Sequence, residues 1–442
     1  MTIVELFDST PINNIIGALA YRPERIIYIG GFSEKQFVAK KYPALRKYFD
    51  SKNLSSMEIC YVQVNKESLQ EIVDTLEDLY ENNTDCKFNI EVTGGEDLVL
   101  VGIGVMCQRY PDLQLIKISS KLRNITSCSL SEAGKQEKIS ADFFNTVRQN
   151  MLLHGADIIS SNEEYIEEWE TYSDLQERLE FLWNVCCCGI PDFNYDEYVS
   201  ECSYPGAWNR VISALAQMDY FTCMRPEQNI ICINEEDYID ISGQYCNVNI
   251  VDRYLEYLMY NGFLETYTEN KFVTIEFKDD MARFCLTKSG NLLEIKTYLA
   301  CRNLLGSCNG DVRTGVTIDW DGKMFDREDL YHQGEENTVN EIDVIGMYGL
   351  VPYFISCKNG KFTSEELYKL NTVAERFGTG YCSKIIVTTD LKYAVNNSEE
   401  ALLQRALDMG IKIIDNVHEM SSEEFSSALS KAMELPKQKI HI

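Results

Sequence analysis

The chain has 442 residues, 45% of them hydrophobic, and a formal net charge of −28 at pH 7. The length implies two or three domains, and the apolar share is enough to give each a core. The acidity excludes nonspecific nucleic-acid binding by the whole surface, because a polyanion is repelled. It leaves only a local basic groove or a metal site for such a substrate.

In chain order, strand and helix signals alternate first. Residues 3–8, 25–31, 57–64, 88–95 and 113–119 are short β-branched runs that read as buried strands, with helical spacing between them. This order predicts an α/β domain over 1–150, Rossmann-like, with a parallel sheet whose ligands sit beyond the strand C-termini. Residues 151–285 are rich in Tyr, Cys and acid. Within them, 250–278 reads as a helix, a turn and a β-wing, so a winged-helix-like connecting region is expected. Its acidity suits a protein contact or linker better than a phosphate backbone. Residues 286–442 form the third unit, in the order helix (287–305), strand (311–322), hairpin (340–358), helix (364–378), strand (384–389), helix, strand.

The hairpin stretch NEIDVIGMYGLVPYFISCKNG carries acids on its first strand and a lysine at the end of its second. Phosphodiester hydrolysis needs hard oxygen ligands for a divalent metal and a cation beside the attacked phosphate. Asp343 and Lys358, on strands joined by a tight turn, meet that need. Glu341 precedes Asp343 by two, which on a regular strand gives one face. Glu294, in the preceding helix, is placed to reach the same cleft. Residues 355–395 hold six Lys/Arg against four Asp/Glu, a small basic island in which Lys361, Lys369 and Arg376 are candidate phosphate contacts.

At the other end, two loops follow strands: DSTPINN at 8–14 and VTGGED at 92–97. Ser9, Thr10 and Asn14 offer polar groups after the first strand, and Pro11 suits a first helical turn. Thr93 offers a hydroxyl, and Gly94 and Gly95 allow close backbone approach. Glu96 then leads into a helix whose N-terminal amides favour an anion. The two loops together imply a phosphate-containing ligand. No GxGxxG and no GxxxxGK[ST] occurs, which disfavours a dinucleotide cofactor and a P-loop.

Sixteen cysteines without one CxxC pair, and only four histidines, argue against structural zinc and fit a reducing compartment. No run reaches about 18 uninterrupted apolar residues, and the first residues do not read as a leader. A cytoplasmic protein without membrane contact is expected.

The element order with Asp343, Ser356 and Lys358 resembles the PD-(D/E)xK restriction-endonuclease-like fold. Glu294, Asp343 and Lys358 fall on its motif positions, and Ser356 stands where the family carries an acid. Glu341 or the Cys357 carbonyl is the expected substitute oxygen. Adding Pro11 and Asn14 after the first strand and the TGG loop after the fourth, the chain resembles the CRISPR ancillary nucleases that fuse a CARF domain to such a nuclease. The family often continues TGG with Thr-Lys, where Glu96 and Asp97 stand here. The resemblance implies a homodimer of type III CRISPR antiviral defence, activated by a cyclic oligoadenylate, most often cyclic tetra-adenylate. It also implies Mg²⁺ or Mn²⁺ on Asp343, Glu294 and Glu341, and DNA or RNA as substrate. The competing expectation is a ligand-sensing transcriptional regulator that contacts DNA through the winged-helix-like segment and keeps a degenerate nuclease-like domain.

Overall fold

The structure, a computed structural model, describes residues 1–82, 88–119, 124–138, 143–193, 203–222, 229–268, 271–306, 310–322, 339–360, 362–378, 382–389, 391 and 399–435. It is an α/β protein with three sheets. No helix among the described residues is long and apolar enough to cross a membrane.

The first sheet contains β1 (Thr2–Leu6), β2 (Arg25–Gly30), β3 (Glu58–Gln63), β4 (Phe88–Glu91), β5 (Gln114–Ser119), β6 (Asn124–Cys128) and β7 (Lys135–Lys138), in the order β3-β2-β1-β4-β5-β6-β7. The first five are parallel, and β6 and β7 run antiparallel at one edge. Every residue of β1 is buried, because helices cover both faces of this central strand. The strand order reverses between β1 and β4. The crevice where ligands bind in such sheets therefore opens beyond Leu6 and Glu91.

Next come β8 (Asp157–Ser160), β9 (Ile230–Asn234), β10 (Leu264–Thr268) and β11 (Phe272–Phe277). The last three make a small antiparallel sheet, order β10-β11-β9, against helices Tyr204–Phe221, Glu235–Tyr245 and Val248–Tyr260. Although β8 precedes this unit, it pairs far along the chain with β12.

The third sheet adds β12 (Asp311–Asp319), β13 (Val339–Tyr348), β14 (Val351–Lys358), β15 (Ser383–Thr388) and β16 (Ile411–Ile414), in the order β16-β15-β14-β13-β12-β8. Helix Asn291–Gly306 packs on one face, and helices Ser364–Gly378 and Glu399–Asp408 lie on the other. The β13–β14 hairpin is the centre of this sheet. Its turn leaves it: Leu350 is 4% exposed and belongs to the core of the first domain, with Phe7, Ile12 and Ile118. The Asn145 amide donates to the Gly349 carbonyl (2.7 Å), and Tyr48 Oη donates to Asn145 Oδ1 (2.7 Å). The connecting helix Val147–Leu153, closed by a Thr146/Gln149 capping box, is tied to both sides. The Val147 amide donates to Asp311 Oδ2 (2.8 Å), and Gln149 Nε2 to the Ser51 carbonyl (3.2 Å).

Candidate functional site

The first site forms where the strand order reverses. After β1 the chain turns through a 3₁₀ helix, Pro11–Asn14, with Pro11 at its first position. Asp8 closes this turn: its amide donates to Asn14 Oδ1 (2.7 Å), and Asn14 Nδ2 donates to its carbonyl (2.8 Å). Its carboxylate joins the two loops, accepting from the Thr10 amide (2.7 Å) on one side and the Gly95 amide (3.0 Å) on the other. Partial burial works against that charge. The two amides and the Asn13 and Thr10 side chains outweigh it and hold the carboxyl below its usual range. Gly95 has φ +105°, and a Cβ there would stand 2.4 Å from that of Leu6, so only glycine lets the loop lie on β1.

The loops expected from sequence are thus brought together, with Ser9 exposed and Thr10 and Pro11 half-buried at the mouth. Thr93 differs from the expectation. Its hydroxyl is bonded to Glu91 and accepts from the Ile118 amide (2.9 Å), so it shapes the loop from within. Glu96 precedes helix Asp97–Arg109, makes no capping bond, and lies 4.0 Å from Lys66 Nζ. Sequence reasoning passed over Asp8 because an acid opening a turn looks ordinary. Its bond to a glycine 87 residues away exists only in the fold.

The second site lies on the β13–β14 hairpin, at the end away from the turn. Side-chain alternation breaks there. Val312 and Val344 face the core under helix Asn291–Gly306, whereas Val316, four residues further along β12, and Ile342, two residues before Val344 on β13, face the opposite core. The break centres on Gly315 and Asp343, which fall between the registered pairs Thr314–Val344 and Val316–Ile342. Gly315 has φ +55°, and a Cβ would lie 1.9 Å from Asn162 Nδ2. The regular alternation assumed for Glu341 and Asp343 is interrupted at this point.

The last registered pair of β13 and β14 is Val344–Ile355. Beyond it Asp343 reaches across, and its Oδ2 accepts from the Cys357 amide (2.6 Å) and Ser356 Oγ (3.2 Å). Lys358 Nζ stands 3.8 Å from the same oxygen and 3.0 Å from Glu366 Oε2, on helix Ser364–Gly378. Burial pushes the Asp343 carboxyl up, against the pull of Lys358 and its two hydrogen bonds. Glu294, 7% exposed on helix Asn291–Gly306, is pushed up to about 8 by burial and then by the Asp343 charge. Glu341 sits at the rim, paired with Lys288 (2.8 Å) and half-exposed. Ser356, Asp343, Lys358, Glu294 and Glu341 therefore share one electrostatic neighbourhood.

Among the described residues, no group of three or more His, Cys, Asp and Glu side chains is gathered closely enough to hold a metal ion. The donor chemistry of the pair Glu294 and Asp343 does fit a hard divalent cation. Burial raises both carboxyls, the Asp343 charge adds to the rise of Glu294, and a cation would take the place of the proton Glu294 retains. Of the candidate phosphate contacts, Lys369 Nζ is bound by Glu365 and Glu366 (3.2 Å each). Arg376 is half-buried and donates to the His154 carbonyl (3.1 Å), turned toward the connecting helix. Lys361 lies outside the described residues. Sequence reasoning missed Glu366, Lys288 and the Asn209–Asn359–Thr389 chain, which ties the turn after Lys358 to helix Tyr204–Phe221. In that chain Asn359 Nδ2 donates to Asn209 Oδ1 (2.9 Å), and Thr389 Oγ1 donates to Asn359 Oδ1 (3.0 Å).

No protein-family model and no curated protein matches the sequence. Solved structures do match in fold. Protein VC1899 from Vibrio cholerae aligns with a TM-score of 0.68 at 16% identity, covering 98% of both chains. Can2 from Sulfobacillus thermosulfidooxidans, solved in complex with cyclic tetra-adenylate, aligns with a TM-score of 0.59 at 17% identity, covering 98% of this chain and 97% of that one. At such identities the likeness is one of fold, and it extends over nearly the whole of each chain.

Proposed function

We propose that the chain is a cyclic oligoadenylate-activated, metal-dependent nuclease of type III CRISPR defence, cleaving single-stranded DNA or RNA and nicking duplex DNA. The observation that carries this reading is the meeting of Asp343, Glu294 and Lys358 at one end of a hairpin whose turn is buried in the ligand-sensing domain. Asp343, Glu294 and Glu341 are the proposed ligands of Mg²⁺ or Mn²⁺, which when bound supplies positive charge to the phosphate and lowers the pKa of a water. Lys358, held beside Asp343, orients that water and offsets charge on the phosphate. Ser356 keeps Asp343 in place through its hydroxyl.

The joined Asp8–Asn14 and Thr93–Glu96 loops are the proposed activator site. Cyclic tetra-adenylate is favoured, since the whole-chain fold matches a protein solved with that ligand. A ring of four identical nucleotides carries two-fold symmetry, so two copies of the pocket in a homodimer contact it equivalently. Activation would travel by packing. Ile12 of the first loop and Leu350 of the hairpin turn share one core, and Asp343 stands roughly 20 Å along the strand from that turn. The activator shifts the equilibrium toward whichever hairpin position it binds better.

The three helices and small antiparallel sheet of 204–277 suit a winged-helix-like unit, which the regulator reading would use for DNA. Its helix Val248–Tyr260 offers little to phosphate: Arg253 is paired with Glu256 (3.3 Å). The test is incubation of the protein with labelled single-stranded DNA and RNA, with and without Mn²⁺ and cyclic tetra- or hexa-adenylate. Cleavage that requires both metal and ring supports the nuclease. Intact substrates together with a shifted promoter duplex support the regulator.

A further inference from the structure

We infer that Glu366 is a positioning residue of this site: it supplies, from the neighbouring helix, the carboxylate that position 356 lacks, and holds Lys358 facing Asp343. The inference rests on the nuclease reading of the Asp343–Lys358 pair. Three observations lead to it. First, the Ser356 hydroxyl donates to Asp343 Oδ2 (3.2 Å), and a neutral hydroxyl offers Lys358 no charge. Second, Lys358 Nζ lies nearer to Glu366 Oε2 (3.0 Å) than to Asp343 Oδ2 (3.8 Å), so Glu366 makes the tighter ion pair. Third, Glu366 is itself fixed. It sits in the first helical turn, where negative charge is favoured, its amide donates to the Thr363 carbonyl (3.1 Å), and its Oε1 takes Lys369 Nζ (3.2 Å).

A lysine on a flexible four-carbon stem gives up rotamer freedom when held in one place. One buried carboxylate, competing with burial and with Glu294, holds it poorly. Two carboxylates, Asp343 on β13 and Glu366 on the helix, fix the ammonium between those two elements. Glu366 also keeps its charge. Partial burial opposes ionisation, but Lys358 and Lys369 outweigh it and hold the carboxyl below its ordinary range. The net negative charge that a divalent cation needs is therefore assembled from one strand and two helices, where an acid at 356 would have placed it on β14.

The test compares the full-length protein with Glu366→Gln, Glu366→Asp and Glu366→Gln combined with Ser356→Glu. Cleavage is measured with cyclic tetra-adenylate and Mn²⁺, and Mn²⁺ affinity by calorimetry without nucleic acid. In Glu366→Gln, kcat should fall about 100-fold with KM held within about threefold. Ser356→Glu in that background, and Glu366→Asp alone, should each recover to within about tenfold of wild type. Mn²⁺ affinity should drop at least about fivefold in Glu366→Gln and return with Ser356→Glu. A Glu366→Gln protein within about threefold of wild type in both rate and Mn²⁺ affinity overturns the inference. So does a loss that Ser356→Glu leaves unrescued in a folded protein. If wild type itself cleaves nothing, the nuclease reading falls, and the Mn²⁺ titration alone still decides the role of Glu366.

Discussion

Two buried ionisable sites define the chain at the level of single residues. Glu5 and Glu91 are register neighbours on β1 and β4, fully buried, and both Glu5 oxygens and Glu91 Oε2 lack a hydrogen-bond partner among the described residues. Burial pushes both carboxyls up, Glu91 to about 8. The folded chain therefore keeps protons that the unfolded chain releases near pH 4.5, and stability is lost as pH rises from there to about 8. Glu5→Gln removes one desolvated acid and offers Glu91 an amide donor. It should stabilise the protein by about 1–3 kcal/mol at pH 8 and change little at pH 5, as read by thermal unfolding. Equal effects at both pH values would refute this. His154 has the opposite sense. Burial lowers it to about 4, its ring Nδ1 bonds the Asn150 carbonyl (2.8 Å), and Nε2 has no hydrogen-bond partner among the described residues. The unfolded chain takes up that proton first, so stability is complete above pH 6.5 and about 3 kcal/mol is lost as pH falls to about 4. A His154→Asn protein should be flatter across that window, and a profile parallel to wild type would contradict the assignment. Neither site was legible in the sequence. Even in a run read as a buried strand, IVELFD does not show that Glu5 will face another buried acid on β4, and nothing local marks His154 as enclosed.

At the level of elements, the C-terminal order could be read because each strand carries its own signal. The β-branched runs around Gly349–Pro352 define a hairpin, and LYKLNTVAERF has clear helical spacing. The strands β6, β7 and β8 could not. Lys135–Lys138 is wholly exposed and lacks an apolar face, and Asp157–Ser160 finds its partner only across about 160 residues of chain. The hairpin turn was equally opaque. Leu350 looks like a turn residue, yet it completes the first domain's core. Leu350→Ala should cost about 2–5 kcal/mol in denaturant unfolding. Because Leu350 shares a core with Ile12 but is not itself a residue of the activator loops, ring affinity should be retained while activator-dependent stimulation of cleavage falls. Undiminished stimulation in a folded variant would show that the hairpin is not the route.

The whole molecule joins a Rossmann-like domain to a six-stranded sheet through one short helix and one inserted turn. The candidate site was half legible. Asp343, Ser356, Lys358 and Glu294 follow from spacing and element order. Glu366 and Asp8 emerge only when a helix or a distant loop is laid against them. With a net charge of −28, a nucleic-acid substrate of the proposed reaction would be held by local cations, and among the described residues Lys288 and Lys358 stand against the buried acids. The most direct measurement is the rate of single-stranded DNA and RNA cleavage with Mn²⁺, with and without cyclic tetra-adenylate, in wild type and Lys358→Ala. Wild type should cleave only with the ring present, and Lys358→Ala should lose about 10³-fold while keeping its fold and ring affinity. Full activity in Lys358→Ala would contradict the account.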